Sequence, residues 1–216
     1  MKNNNKNCLG DFIASCFLVM VIVCSGIMAE NLTNDNAVRL LANTIATGAG
    51  LFVLITSFAN ISGAHLNPFV SLSMYLTKKI KGKELLTYIP AQILGCLLGV
   101  MLANVFFEHS IIELSTKNRD GFHIFLSEIV ATFGLIFIIF ATLKDGKTTV
   151  AACVATYISA GYWFTSSTSF ANPAVAIART FTDSFTGINY LNTPTYIFAE
   201  LLGAIAAVYI IKRLIK

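Results

Sequence analysis

Six apolar stretches dominate the sequence and decide what it can fold into. They lie at roughly 9–29, 38–59, 84–107, 122–143, 148–165 and 193–214, most of them near the ~20 residues with which a helix crosses a bilayer's hydrocarbon core. Of the 216 residues, 56% are hydrophobic and only 12% are charged. A soluble domain carries about 25% charged residues, so this balance points to an integral membrane protein. Short alternating polar–apolar segments are absent, which argues against a β-barrel. The first apolar run follows only Lys2 and Lys6 and lacks a small-residue cleavage site, so it reads as a first span rather than a cleaved signal.

The basic residues set an orientation. Lys2, Lys6, Lys78, Lys79, Lys81, Lys83, Lys144, Lys147, Lys212, Arg213 and Lys216 fall on one side of a six-span layout, and only Arg39, Lys117, Arg119 and Arg179 on the other. That asymmetry places both termini in the cytoplasm, and the plasma (inner) membrane is the expected location. The lysines are scattered over short loops and make no basic face, so no nucleic-acid partner is expected. Cys8, Cys16, Cys24, Cys96 and Cys153 lie in or beside spans without a CxxC pair, and read as small buried apolar residues. His65, His109 and His123 fall in separate loops without ligand-like spacing. Neither enzyme chemistry nor a metal or cofactor is therefore expected.

The chain is written twice. YIPAQILG at 88–95 echoes YIFAELLG at 196–203, with five of eight positions identical. SEIVAT at 127–132 resembles GDFIAS at 10–15: an acid, apolar residues, a small residue and a hydroxyl. NPFV at 67–70 and NPAV at 172–175 sit between these landmarks in each half. With three spans per repeat, the halves enter the membrane from opposite sides, an inverted repeat in which a pathway runs near the midplane. The expectation is one domain over residues 1–216, with repeats at about 9–107 and 122–214.

The stretches 67–77 and 172–182 are too short to cross a bilayer. Each opens on Asn-Pro, in which Asn is a favoured N-cap and Pro suits the first helical position. They read as half-helices whose N-termini meet near the centre. Irregular backbone at that depth must be buried in protein or line a water-filled cavity. Two facing positive dipole ends oppose cations, while Asn67 and Asn172 offer amide donors to water and small hydroxylated solutes. These features predict a pore for neutral molecules.

SGAHLNPFVSL at 62–72 and STSFANPAVAIARTF at 167–181 resemble the paired signature loops of the aquaporin and aquaglyceroporin family, and the likeness spans almost the whole chain. It implies an all-α membrane protein, an aquaporin-like inverted repeat of six transmembrane helices plus two re-entrant half-helices. It also implies one passive pore for water and small neutral solutes in each subunit of a homotetramer. Asp11 and Glu128 correspond to acids that brace the re-entrant loops by accepting backbone hydrogen bonds. A proton relay is the alternative for Glu128.

Two departures bear on selectivity. Phe69 replaces the usual Ala after Asn67 and Pro68, and either narrows the centre or repacks it; Ala174 keeps the usual residue after Asn172 and Pro173. Val175 stands where most members carry Arg. By the family's spacing the filter positions fall on Thr47, Ala160, Ser169 and Val175, all small or medium and uncharged. The resemblance is to a prokaryotic subgroup with Val here, some members of which are associated with arsenic resistance. A filter without Arg implies passage of glycerol, urea or neutral metalloid acids, with an ion or weak-acid channel as the alternative. Arg179 lies four residues beyond Val175, about 6 Å further along the helix. It either reaches back to form a looser cationic ring at the outer mouth, or pairs with Asp183 or snorkels to the interface. His65 is expected to hydrogen-bond the entry loop, with a pH gate as the alternative. Tyr88, Tyr162, Trp163 and Tyr196 are assigned no ligand role.

Overall fold

The computed structural model describes residues 2–214, with side chains from Asn5 onward. Met1, Ile215 and Lys216 fall outside the described residues, and so does the side chain of Lys2; two of the charges used for the orientation are among these. Eight α-helices run along the described chain, and no strand occurs among those residues. The first half contains α1 (Lys2–Leu32), α2 (Asn36–Phe58), α3 (Pro68–Leu76) and α4 (Gly82–Phe106). The second contains α5 (Phe122–Thr142), α6 (Lys147–Phe164), α7 (Pro173–Ala178) and α8 (Thr193–Leu214). A single 3₁₀ turn, Arg179–Phe181, extends α7. Each of the six expected spans is a long helix. Five of them are long and apolar enough to cross a membrane; α6, at 18 residues, lies between α2 and α5.

The halves repeat each other in packing as well as in order. α1 runs along α4, α5 runs along α8, and α2 meets α6 across the halves. The paired helices approach closely because glycine removes the side chain at the crossing. A Cβ on Gly95 or Gly99 would lie 2.2 or 2.3 Å from the carbonyl oxygens of Phe12 and Cys16. In the second half, a Cβ on Gly203 would lie 2.4 Å from the Ile129 carbonyl. Close backbone approach of this kind is how helices associate where lipid provides no hydrophobic drive between them. The outward faces carry large apolar side chains such as Phe17, Ile45, Leu94, Phe198 and Tyr209, which suits a hydrocarbon surrounding.

Polar groups punctuate the ends. The Asp35 carboxylate caps α2 by accepting from Ala37 N (2.7 Å) and Val38 N (3.2 Å). At α4, the Glu84 carboxylate accepts from Lys81 N at 2.8 Å. The second half-helix is shorter than the sequence predicts, because loop groups take its last carbonyls. Ile188 N donates to Arg179 O, Ser115 N to Thr180 O, and Glu113 N and Asn104 Nδ2 to Phe181 O. Once those oxygens are engaged from outside, the helix tightens to 3₁₀ instead of continuing.

Candidate functional site

The half-helices α3 and α7 meet tip to tip inside the bundle. Each is capped by its own Asn: Asn67 Oδ1 accepts from Phe69 N (2.8 Å) and Val70 N (3.4 Å), and Asn172 Oδ1 from Ala174 N (3.1 Å) and Val175 N (3.4 Å). The amide ends then cross the midline. Asn67 Nδ2 donates to Ala171 O at 2.7 Å, and Asn172 Nδ2 donates to Leu66 O at 2.8 Å. Each amide has two hydrogens, so one N–H per Asn remains for the cavity that both residues line.

The crossing works because the residue before each Asn is left-handed. Leu66 and Ala171 have φ of 52° and 48°, and Ala64 and Ser169, three residues before each Asn, have 51° and 52°. Non-glycine residues hold this conformation only where the surroundings over-determine it. Here the acids do so. Asp11 accepts from Ser62 Oγ (2.8 Å), His65 N (3.1 Å), Leu66 N (3.1 Å) and Gln92 Nε2 (2.5 Å). Glu128 accepts from Phe170 N (2.9 Å) and Ala171 N (2.8 Å), and Glu200 takes Asn172 N at 2.9 Å. Asp11, Glu128, Gln92 and Glu200 are all fully buried.

Along this seam runs a cavity of about 290 Å³, enough for several waters at the ~30 Å³ each occupies in the liquid. Its walls are apolar stripes at four-residue spacing. α2 contributes Thr47, Leu51 and Ile55; α5 contributes Leu135 and Ile139, with Leu143 at its C-cap; α6 contributes Val150, Val154, Ile158 and Tyr162. Three turns of α6 make the lined length about 16–18 Å. Polar lining is concentrated on one side, in the loop residues 63–67 and 169–172, whereas Lys79 and Lys147 stand at one end and Arg179 at the other. A molecule moving through would shed water against the apolar walls and keep hydrogen bonds on the loop side and at the Thr47 and Tyr162 hydroxyls. The paired positive helix ends and the arginine disfavour cations.

Most of the expected residues come together here. Thr47, Asn67, Ser169, Asn172 and Val175 line the cavity, and the Ser169 hydroxyl has no protein partner. Pro68, Pro173 and Ala174 are buried at the half-helix starts behind it. Phe69 packs partly buried against the core and is not among the residues that line the cavity. Ala160 requires correction: it is exposed on α6 and absent from the cavity wall. At 100° per residue it lies far around the helix from the stripe that Ile158 and Tyr162 define. The neighbouring Gly161 faces Ser169, whose Cβ would be 2.7 Å from a Cβ added there. Arg179 lines the cavity and does not pair with Asp183, which accepts from Thr116 N at 2.8 Å. His65 Nδ1 meets Ser71 Oγ at 2.9 Å, and the ring stacks on Tyr88 with centroids 4.7 Å apart.

Sequence reasoning missed three participants. Gln92 and Glu200 were visible as corresponding polar letters in YIPAQILG and YIFAELLG, but their use as braces was not. Tyr162, assigned no role, lines the cavity with its hydroxyl 3.1 Å from Thr47 Oγ1. Among the described residues no group of three or more His, Cys, Asp or Glu comes together.

Six long helices around two opposed, Asn-capped half-helices with a cavity between them define a membrane channel of the inverted-repeat class. The family model "Major intrinsic protein" matches residues 1–165, and the chain belongs to that family. It is 44% identical over 211 residues to the aquaglyceroporin AqpS of Rhizobium meliloti (strain 1021), covering 98% of this chain and 91% of that protein. It is 28% identical to aquaporin-4 of Rattus norvegicus over 94% of this chain, while spanning 65% of that longer protein. The X-ray structure of the aquaglyceroporin from Plasmodium falciparum matches with a TM-score of 0.79 at 20% identity, covering 98% of this chain and 97% of that one. At that identity the likeness speaks for the fold.

Proposed function

We propose that this chain is a passive transmembrane channel for water and small uncharged solutes, with glycerol, urea and neutral metalloid acids within its range. The observation that carries the reading is the pair of crossed caps: Asn67 to Ala171 and Asn172 to Leu66 hold two positive helix ends against one narrow cavity. Such a site offers hydrogen bonds to neutral molecules and opposes cations. Family membership and the aquaglyceroporin among its relatives agree with it. Thr47, Ser169 and Val175 line the cavity, and the size of these side chains supports passage of solutes larger than water.

The protein functions in the plasma (inner) membrane with both termini in the cytoplasm, which the lysine-rich end formed by the 78–83 and 144–147 loops supports. It assembles as a homotetramer, a reading that family membership supports. Cross-linking in native membranes tests the assembly, and a monomer as the largest species would end that part.

Proteoliposome swelling with a panel of neutral solutes tests the central reading. Wild type is expected to pass both water and glycerol. Val175→Arg is expected to cut glycerol permeability at least tenfold while retaining water, because a guanidinium enters the bore. A wild type that conducts water and excludes glycerol would show that the filter is narrow. Ionic current without swelling would favour an ion or weak-acid channel instead.

A further inference from the structure

The positions that family spacing assigns to the filter carry no charge, yet the wall beside them does. Arg179 is 3% exposed and lines the cavity one turn beyond Val175. Its Nε donates to the Thr186 carbonyl, and its guanidinium lies 3.5 Å from the centroid of the Phe170 ring. These contacts use one N–H and one face of the planar group. Among the described residues neither terminal NH₂ has a protein acceptor, so both remain for the cavity. In the same cavity Tyr162 occupies the α6 stripe that Ala160 does not reach, and its hydroxyl is shared with Thr47 across the α2–α6 contact.

We propose that Tyr162 and Arg179 together form the specificity-determining constriction of this channel, in place of Ala160 and Val175. The proposal rests on the channel reading above and deepens it. The Tyr162 ring, tethered through Thr47, sets the width. Arg179, seated on Phe170, supplies the donors and the positive charge. The bore is then wide without being uncharged. A polyol or a neutral hydroxide finds two fixed donors at Arg179 and a hydroxyl pair at Thr47–Tyr162, whereas a cation meets a desolvated guanidinium before it reaches the half-helix ends. Lys117 and Arg119 carry the same sign nearby. Arg119 lies 5.3 Å from the Phe170 centroid on its own carbonyl contacts with Gly187 and Phe185. Lys117 is tied to the Phe185 carbonyl, and Glu30 is the acid close to this group.

Two measurements decide the matter independently. The first is modification of Tyr162→Cys and Ala160→Cys by a membrane-impermeant methanethiosulfonate, quantified at the substituted position by mass spectrometry. Tyr162→Cys should react at least tenfold faster, and equal rates would overturn the assignment whether or not any solute is conducted. The second is transport in liposomes and planar bilayers. Arg179→Met should raise potassium current at least tenfold while Arg179→Lys stays at the wild-type level, and Tyr162→Ala should admit a five-carbon polyol that wild type excludes. A Met variant indistinguishable from the Lys variant, or an unchanged size limit in Tyr162→Ala, would overturn it. If wild type and every variant pass neither water nor glycerol, the channel reading fails, and fast labelling at position 162 still reports the wall.

Discussion

The two halves of the molecule solve one problem with different chemistry. In each, a left-handed loop must be held so that the following Asn caps a half-helix. The first half uses a carboxylate and an amide: Asp11 takes His65 N and Leu66 N, and Gln92 donates to Asp11. The second half uses two carboxyl groups: Glu128 takes Phe170 N and Ala171 N, and Glu200, at the position of Gln92, takes Asn172 N. Gln92 Oε1 has no partner, whereas Glu200 Oε1 holds a backbone amide and Glu200 Oε2 has no protein donor. The amide therefore strengthens the acid, and the second carboxyl group strengthens the loop. The cost of the second arrangement is an acid pair with no N–H between its members.

Removing the acids is the most severe way to break this comparison. Asp11→Ala strands His65 N and Leu66 N and releases Ser62 and Gln92, whereas Glu128→Ala strands Phe170 N and Ala171 N. Each buried unmet donor costs about 1–3 kcal/mol, so each variant should lose on the order of 2–6 kcal/mol, and Asp11→Ala should lose more. Denaturation in detergent micelles measures the order. If Glu128→Ala proves the more severe, the second loop depends on its acid more than these bonds imply.

Exchanging the partners is the milder test, and the two exchanges differ in size. Gln92→Glu sets a second carboxyl group against Asp11 and removes the donations to Asp11 and Ser71. Losing the buried donation to Asp11 costs about 1–3 kcal/mol. Glu200→Gln gives the second half the first half's pairing: its oxygen can keep Asn172 N while its NH₂ faces Glu128. Stability should stay within about 1 kcal/mol of wild type. Equal losses in the two variants would mean that the halves are not chemically distinct.

How much of this the sequence disclosed follows from the range of each interaction. Span positions, the inverted repeat and both Asn-Pro caps are local: hydropathy over about twenty residues and an Asn before a Pro leave their mark in a short window. Glu128 stood out as an acid inside an apolar run, while the bracing role of Asp11 and Glu128 came from the family resemblance. Ala160 was misplaced because its facing depends on how the chain from Thr165 to Ala171 leaves α6, and that path contains left-handed residues at Thr168, Ser169 and Ala171. One residue of error at a helix end rotates a side chain by 100°. Tyr162 was obscured for the same reason, since an aromatic near a span end is ordinarily an interfacial or packing residue. The seat of Arg179 on Phe170 arises between side chains nine residues apart and leaves no pattern in either segment.

The ends of the cavity differ as the loops do, and Lys117 offers the gentlest test of that difference. At the end where Lys79 and Lys147 stand, Lys147 Nζ reaches Ala59 O (3.0 Å) and Asn60 Oδ1 (2.5 Å). At the opposite end Lys117 is drawn inward, its Nζ 2.7 Å from Phe185 O and 4.5 Å from the Phe185 ring centroid. Burial, and then the charges of Arg119 and Arg179, push its amine down from the usual 10.5 to about 8, with Glu30 opposing. A lysine whose folded value is depressed binds fewer protons folded than unfolded between those two values. Protonation thus costs stability in full below about pH 8, and stability rises with pH from there to about 10.5. The rate of reductive methylation at Lys117, followed by mass spectrometry, should reach half its maximum near pH 8, and the rise in stability should vanish in Lys117→Met. Methylation that waits for pH 10 would show that the amine stands in water and is not drawn in beside Arg119 and Arg179.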